Sequence, residues 1–284
     1  MTRLVANDVR SIAAQLSEYD TQLAAKTGCT LRTIACRAAG VPEDKIIPRL
    51  KSAHIGVIPI TGGEGVIAGF CDAVAGIVSH LGCRAFITRV TDVAGLAEAF
   101  EKNADIIMLA DDRRFIALHT ASRKLIDNAV ATGKGFVAGM HLMTGELSKK
   151  NVLVIGCGPV GRSATQALVA MGAWVSIYDI EPALGMALSE EIKKACNADI
   201  QVIQDLEGAL KRHQLIVDAS PARGIIQGRH ITENTYISAP GVPHGLDQEA
   251  RLKIGGRLLH DPLQIGVATM TMLALKFHRN ASAG

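Results

Sequence analysis

Residues 151–179 read NVLVIGCGPVGRSATQALVAMGAWVSIYD. A short apolar strand, Val152 to Ile155, runs into Gly156-Cys157-Gly158-Pro159-Val160-Gly161. An apolar-periodic helix of about ten residues follows. A second strand, Trp174 to Tyr178, then ends on Asp179. Strand, glycine turn, helix, strand and terminal acid form one dinucleotide-binding unit, and each part has a physical reason. Gly156 permits the tight turn out of the strand. Gly158 leaves the backbone open to a pyrophosphate. Gly161 lets the helix pack close to the strand. Pro159 and Val160 open the helix, whose N-terminal N–H groups and positive dipole end suit phosphate. Asp179 is placed to accept both hydroxyls of an adenosine ribose and to repel a 2′-phosphate. NAD is therefore expected in preference to NADP. A glycine turn in some other α/β sheet would explain the glycines but not the position of Asp179.

The rest of the chain fits an α/β protein of ordinary kind. Its 284 residues suffice for two domains, and 48% apolar content can fill their cores. With 4% aromatic residues, a net charge of +3 and no basic run, nucleic-acid binding is not expected. Cys29, Cys36, Cys71, Cys83, Cys157 and Cys196 form no CxxC pair and read as thiols of a reducing compartment. Cys157 is expected to occupy a tolerant loop position. The charged start MTRLVANDVR does not resemble a signal peptide, and Val66 to Leu81 is broken by Gly69, Asp72 and Gly76. A cytoplasmic protein without membrane contact is expected. No HxxxH or HxH pairing and no nucleophile elbow is present, so neither a metal site nor a Ser/His/Asp centre is supported.

Periodicity predicts helices over 7–26 and 30–39, then strands His54–Ile60, Ala85–Thr88 and Asp105–Leu109, separated by helices near 65–81 and 92–102. A helix near 121–131 and the stretch 135–147 lead to a polar joint, Ser148-Lys149-Lys150. The expected architecture is α/β with two domains. Residues 1–148 form a helical pair plus a small parallel α/β domain for substrate, and 149–284 form a Rossmann-type NAD domain. In the second half, helices are expected at 182–196, 205–212, 246–253 and Gln264–Phe277. Strands are expected at 200–203, Leu215–Ala219, Tyr236–Ala239 and Arg257–His260, and the terminal RNASAG reads as a frayed tail.

In open α/β sheets ligands lie beyond the carboxyl ends of the strands. Asp218-Ala219-Ser220-Pro221 and Ala239-Pro240-Gly241-Val242-Pro243 are two such ends, expected to line the nicotinamide ribose and ring. Ser220, Pro221, Ala239, Pro240 and Gly241 are thus candidate cofactor contacts. Asp261, in His260-Asp261-Pro262 before the last helix, is another. In the first half, Pro59-Ile60-Thr61-Gly62-Gly63-Glu64-Gly65 offers N–H groups to a carboxylate but lacks the lysine of a P-loop. Leu109-Ala110-Asp111-Asp112 ends another strand, where an acid pair either takes an ammonium group or caps a helix. Asp127, Asn128 and His141 are weaker candidates to line a cleft, since such residues more often serve surface or packing.

GVIPITGGEGVIAGF, MLADD, VLVIGCGPVG, ISAPGVP and DPLQIGVATM, in this order and spacing, resemble the dehydrogenases that complete pyrrolysine biosynthesis. The resemblance covers about 50 to 275, and Leu4 matches more loosely. It implies an amino-acid-derived small-molecule substrate, L-lysine acylated on its ε-nitrogen by 3-methyl-D-ornithine. The carbon bearing the terminal amine loses hydride to NAD, and the product closes onto the ornithine α-amine. By resemblance Asp111 is the catalytic substrate partner, with Leu4, Ile60, Thr61 and Ile67 as further substrate contacts. Gly62 and Glu64 depart from the serine and asparagine expected there, which leaves backbone contacts but not those side chains. A homodimer is compatible with the sequence. Two other readings stay open: another NAD(P)-dependent amino-acid, imino-acid or shikimate/dipicolinate-type dehydrogenase, and a non-catalytic NAD-binding regulator.

Overall fold

A computed structural model describes residues 4–278, so the terminal RNASAG lies outside the described residues. The first half comprises α1 (Ala6–Val9), α2 (Ile12–Thr27), α3 (Leu31–Ala39), α4 (Glu43–Ser52), β1 (His54–Ile58), α5 (Phe70–His80), β2 (Arg84–Ile87) and α6 (Asp92–Glu101). It continues with β3 (Ile106–Ala110), β4 (Phe115–His119), β5 (Lys124–Asp127) and α7 (Asn128–Thr144). The second half comprises β6 (Asn151–Ile155), α8 (Pro159–Ala170), β7 (Trp174–Tyr178), α9 (Pro182–Cys196), β8 (Gln201–Val202) and α10 (Leu206–Arg212). β9 (Leu215–Asp218), β10 (Tyr236–Ala239), α11 (Gln248–Ile254), β11 (Leu258–His260) and α12 (Gln264–Leu275) complete it.

The chain forms two compact units. One takes Ala25–Gly28 and Thr132–Pro262; the other takes the described chain up to Ala24, Cys29–Ala131 and the chain from Leu263 onward. The α/β class holds, with a Rossmann-type sheet in the first of these units. Its strand order is β11-β10-β9-β6-β7-β8, and every pair is parallel. The central strand β6 alternates strictly. Val152 and Val154 enter one core cluster, with Leu168, Val175 and Ile177. Leu153 and Ile155 enter the other, with Ile216 and Ile237. Burying each such side chain contributes roughly 1.5–3 kcal/mol, so the register of this strand is strongly set.

The other unit has the sheet β2-β1-β3-β4-β5. Its first three strands are parallel, as the alternation of strands and helices predicts, but β4 and β5 run antiparallel. Of the helix expected near 121–131 only the last four residues form, as the first turn of α7, and the residues before them end a β-meander. Ile126 is buried while Leu125 beside it is 47% exposed, which is the period of a strand. Arg123, at φ 55°, makes the turn into β5. Four helices, not a pair, precede the sheet; α4 forms despite Pro48 in its interior. The helix expected from 65 starts only at Phe70, because Gly69 before it holds φ 84°. α12 is apolar all round and packs on α3, α5, β4 and β5, as a fully buried helix must. Among the described residues no helix is long and apolar enough to cross a membrane.

Candidate functional site

In the Rossmann unit the cofactor residues singled out from sequence meet at the carboxyl edge of the sheet. Gly156 leaves β6 at φ 92° and donates its N–H to the Tyr178 carbonyl at 2.8 Å. A Cβ there would lie 2.9 Å from the Ala219 carbonyl oxygen. A Cβ on Gly161 would overlap the Gly156 carbonyl, and one on Gly241 would overlap the Ser220 carbonyl. These glycines are required by the protein's own backbone. Gly158 differs: a Cβ there meets nothing within 4 Å. It is the N-cap of α8, with Pro159 in the first turn. The open space lies at the end of a twelve-residue helix whose first N–H groups lack intrahelical partners. A pyrophosphate fits this arrangement.

Asp179 closes the other side of the loop. One carboxylate oxygen accepts the Cys157 N–H at 2.7 Å and the other the Glu181 N–H at 2.9 Å. Each oxygen keeps lone-pair capacity for a ribose hydroxyl. Cys157 is not at a tolerant position, as expected from sequence. Its side chain is 3% exposed within the core, and burial, reinforced by the Asp179 charge, pushes the thiol up to about 12. It acts as a small hydrophobe.

The turns after β9 and β10 are organised by Asp218, which no motif singled out as a functional group. It is fully buried, and burial raises its pKa above the ordinary carboxylate value. Its carboxylate accepts the Ser220 hydroxyl at 2.7 Å and the Gly245 N–H at 2.6 Å, while its carbonyl accepts the Gly241 N–H at 3.1 Å. Ser220-Pro221 and Ala239-Pro240-Gly241 are thereby fixed relative to each other. His260 Nδ1 donates to the Ala239 carbonyl at 2.7 Å, and its ring stands edge-to-face with His244, centroids 4.8 Å apart. Asp261, next in sequence, is 4% exposed. An acid ending an apolar strand, in LIVD, was the signal that marks Asp218.

In the other unit the register Ile58–Leu109–Ile116–Asp127 runs straight across β1, β3, β4 and β5. The segments that follow β1, β3 and β5 therefore emerge at one edge. Ile60 packs on the core formed by Ile58, Ala99, Ala104 and Ile107. Thr61 is clamped: its N–H and hydroxyl donate to the two oxygens of Asp92 at 2.8 and 2.5 Å. These bonds hold the Asp92 carboxyl below its ordinary pKa. Asp112 accepts the Glu64 N–H at 2.8 Å from the other end of the glycine loop. Ile67 and Leu4 are partly exposed.

Asp111 caps no helix, since a hairpin turn follows β3. One of its oxygens accepts the N–H groups of Arg113 and Arg114 at 2.8 and 2.7 Å, an Asx turn that joins β3 to β4. Those two bonds, Arg114's first, lower its pKa, so it is a carboxylate at neutral pH. The second oxygen lies at the exposed tip. Arg114 reaches from this turn to Asp127 at 2.8 Å.

A parallel sheet of this order, with a glycine loop opening a helix and an acid ending the next strand, defines a Rossmann-type nucleotide-binding fold, and comparison with known proteins makes the protein an oxidoreductase that works with a nicotinamide dinucleotide. The family model for the N-terminal domain of the pyrrolysine biosynthesis protein PylD matches residues 8–126, and that for the C-terminal domain of alanine dehydrogenase/PNT matches 126–230. Pyrrolysine synthase of Methanosarcina barkeri is 29% identical over 272 residues, 95% of this chain and 97% of its own. The chain is thus similar to pyrrolysine synthases along nearly its whole length, and its first half matches the PylD N-terminal domain. Among solved structures, quinate dehydrogenase from Corynebacterium glutamicum in complex with NAD superposes with a TM-score of 0.55 at 14% identity, covering 81% of this chain and 95% of its own. A shikimate dehydrogenase in complex with NADP+ gives a TM-score of 0.57 at 13% identity, covering 80% and 89%. These two share the fold.

Proposed function

We propose that this protein oxidises the terminal amine carbon of L-lysine-Nε-(3R)-methyl-D-ornithine with NAD+ and so forms pyrrolysine. The observation that carries the reading is likeness to pyrrolysine synthase along 95% of the chain, the Asp111 segment and the glycine loop included. When bound, the dinucleotide supplies the hydride acceptor. The rest falls to the chain and the substrate. The amine, of pKa about 10.4, is almost wholly protonated at neutral pH, yet hydride leaves only when the nitrogen lone pair is free to push. Loss of one proton and one hydride gives an iminium, CH=NH2+. The ornithine α-amine adds to that carbon, or to the aldehyde from its hydrolysis. Ammonia or water leaves, and the five-membered imine closes.

Asp111 anchors the ammonium group. A carboxylate so far below the amine in pKa works by position, or by relay through water, not as a strong base. Ile60, Thr61, Ile67 and Leu4 supply the remaining substrate contacts, and the Thr61–Asp92 clamp fixes the loop among them. Asp179 favours NAD+ over NADP+ through repulsion of a 2′-phosphate. About 1.4 kcal/mol of repulsion gives a tenfold preference.

The test is direct. Purified protein is given the synthetic amide with NAD+ or NADP+, and reduced cofactor is followed by absorbance while the product is identified by mass spectrometry. Turnover to a species with the mass of pyrrolysine, at least about tenfold faster with NAD+ at limiting cofactor, is expected. Oxidation of a hydroxy acid instead, or tight NAD+ binding with no amine turned over, would sink the reading. Equal use of both cofactors would remove the role given to Asp179.

A further inference from the structure

A buried carboxylate without a cation of its own ends β9. Asp218 is 0% exposed, and among the described residues no lysine or arginine pairs with it. One of its oxygens accepts the Ser220 hydroxyl and N–H at 2.7 and 3.3 Å, and the other accepts the Gly245 N–H at 2.6 Å. Both oxygens thus act as acceptors, the pattern of an ionised group. Burial opposes that charge, while the three bonds and, last, the His260 imidazole favour it. Dipoles and a half-buried histidine are less than a full counter-ion, and a buried charge left uncompensated is costly.

The register places this charge at the dinucleotide crevice. Asp218 stands beside Ile155, the last residue of β6, and the Ala219 N–H donates to the Ile155 carbonyl at 2.8 Å. Gly156 then opens the glycine loop. From β6 the chain builds outward through β7 and β8, and it returns to lay β9 on the other side of β6. The strand order reverses between β6 and β9, where open α/β sheets bind their ligands. With the pyrophosphate at the start of α8 and the adenosine ribose on Asp179 after β7, the nicotinamide half extends the other way, across β9 and β10. Its path crosses the turns of Ser220 and Gly241, both of which bond to Asp218.

We infer that the Asp218 carboxylate is the counter-charge for the nicotinamide ring of the oxidised cofactor, so that the protein holds NAD+ more tightly than NADH. The two dinucleotides differ in charge at that ring alone, which is positive in NAD+ and neutral in NADH. A fixed charge in a water-poor interior acts on such a ring without touching it, because little solvent screens it. Asp218 neither gains nor loses a proton in hydride transfer. Once the ring has taken up hydride the attraction ends, and reduced cofactor gives way to fresh NAD+. The charge therefore suits a protein that runs toward oxidation. The assignment rests on the dinucleotide reading of the Rossmann unit and not on which substrate is oxidised.

Titration calorimetry of the wild type, Asp218→Asn and Ser220→Ala with NAD+ and with NADH tests this without any substrate. The wild type is expected to bind NAD+ at least about tenfold more tightly than NADH. Asp218→Asn keeps the size and an acceptor for Ser220 and deletes the charge. Its ratio of the two dissociation constants is expected to move at least about tenfold toward NADH. Ser220→Ala disturbs the same turn and keeps the charge, so it is expected to weaken both cofactors alike and leave the ratio at the wild-type value. A wild type that binds NADH as tightly as NAD+ would overturn the inference, and that measurement stands even where Asp218→Asn does not fold. Equal losses of both cofactors in Asp218→Asn would overturn it as well and leave Asp218 an anchor of the turns. A ratio moved as far by Ser220→Ala would do the same. If the wild type shows the preference but does not oxidise the amide, the proposed function falls and this assignment stands. If neither dinucleotide binds, the cofactor site and the assignment fall together.

Discussion

Two glycines three positions apart in one loop have opposite reasons for having no side chain. Gly161 is bare because the Gly156 carbonyl occupies the place of its Cβ. Gly158 is bare although the protein leaves that place empty. Substitution separates them. Gly158→Val is expected to abolish NAD+ binding, measured by calorimetry, while the fold survives with a loss of about 1 kcal/mol, what a poor N-cap residue costs. Gly161→Ala is expected to destabilise the fold by about 1–3 kcal/mol, the usual range for overpacking, and to melt several degrees lower. The reverse outcome would mean that the ligand space is assigned to the wrong turn. The same isosteric logic applies to Asp111, whose carboxylate both closes the hairpin and remains charged. Asp111→Asn keeps an acceptor for the turn and deletes the charge. It is expected to lose at least about tenfold in kcat/KM, as a charge-assisted bond worth roughly 1.5–3 kcal/mol implies, at unchanged melting temperature. Asp112→Ala frees the Glu64 N–H and should cost less activity. A larger loss at Asp112 would reassign the anchor.

The loop between β1 and α5 is an element whose shape is set from outside itself. Asp92 sits at φ 54° at the start of α6 and holds both donors of Thr61. A non-glycine residue in that region costs roughly 1–2 kcal/mol, so the clamp is kept at the expense of local strain. Asp92→Gly relieves the strain and opens the clamp together. The expected result is a protein about as stable as the wild type, with KM for the amide raised several-fold and the Kd for NAD+ untouched. A fall in NAD+ affinity would show that the loop serves the dinucleotide. The sequence displays Thr61 and the glycines but gives no hint of Asp92, which lies about thirty residues on and meets Thr61 only through the parallel pairing of the sheet. The β4–β5 meander leaves no mark in the sequence for a related reason. Its strands are short, and Lys124–Asp127 contributes one buried apolar residue, Ile126, which no periodicity can assign.

At the scale of the molecule, acid should draw stability from this protein in two pH windows with separate causes. Burial, then the His260 charge and Arg251, pushes the His244 imidazole from 6.5 down to about 4. The unfolded chain takes that proton first, so this stability is complete above about 6.5 and is lost as pH falls toward 4. Hydrogen bonds from Arg229 and then Lys211 pull Glu207 from 4.5 to about 2, so its contribution survives until a lower window, between those values. Melting curves from pH 7 to 3 are expected to show His244→Gln with a shallower decline than wild type above pH 4.5 and a parallel one below. Identical slopes throughout would place the histidine in water. What the sequence alone determined is the Rossmann unit with its loop and acid, and the α/β class, because a strand, a glycine turn and a helix within about thirty residues interact locally and their spacing is the structure. What only the tertiary structure decided is which groups share an edge. Asp218 with Gly245, Thr61 with Asp92, and Arg114 with Asp127 are joined by strand pairing and burial. Both depend on contacts between distant segments, which leave no period in the chain.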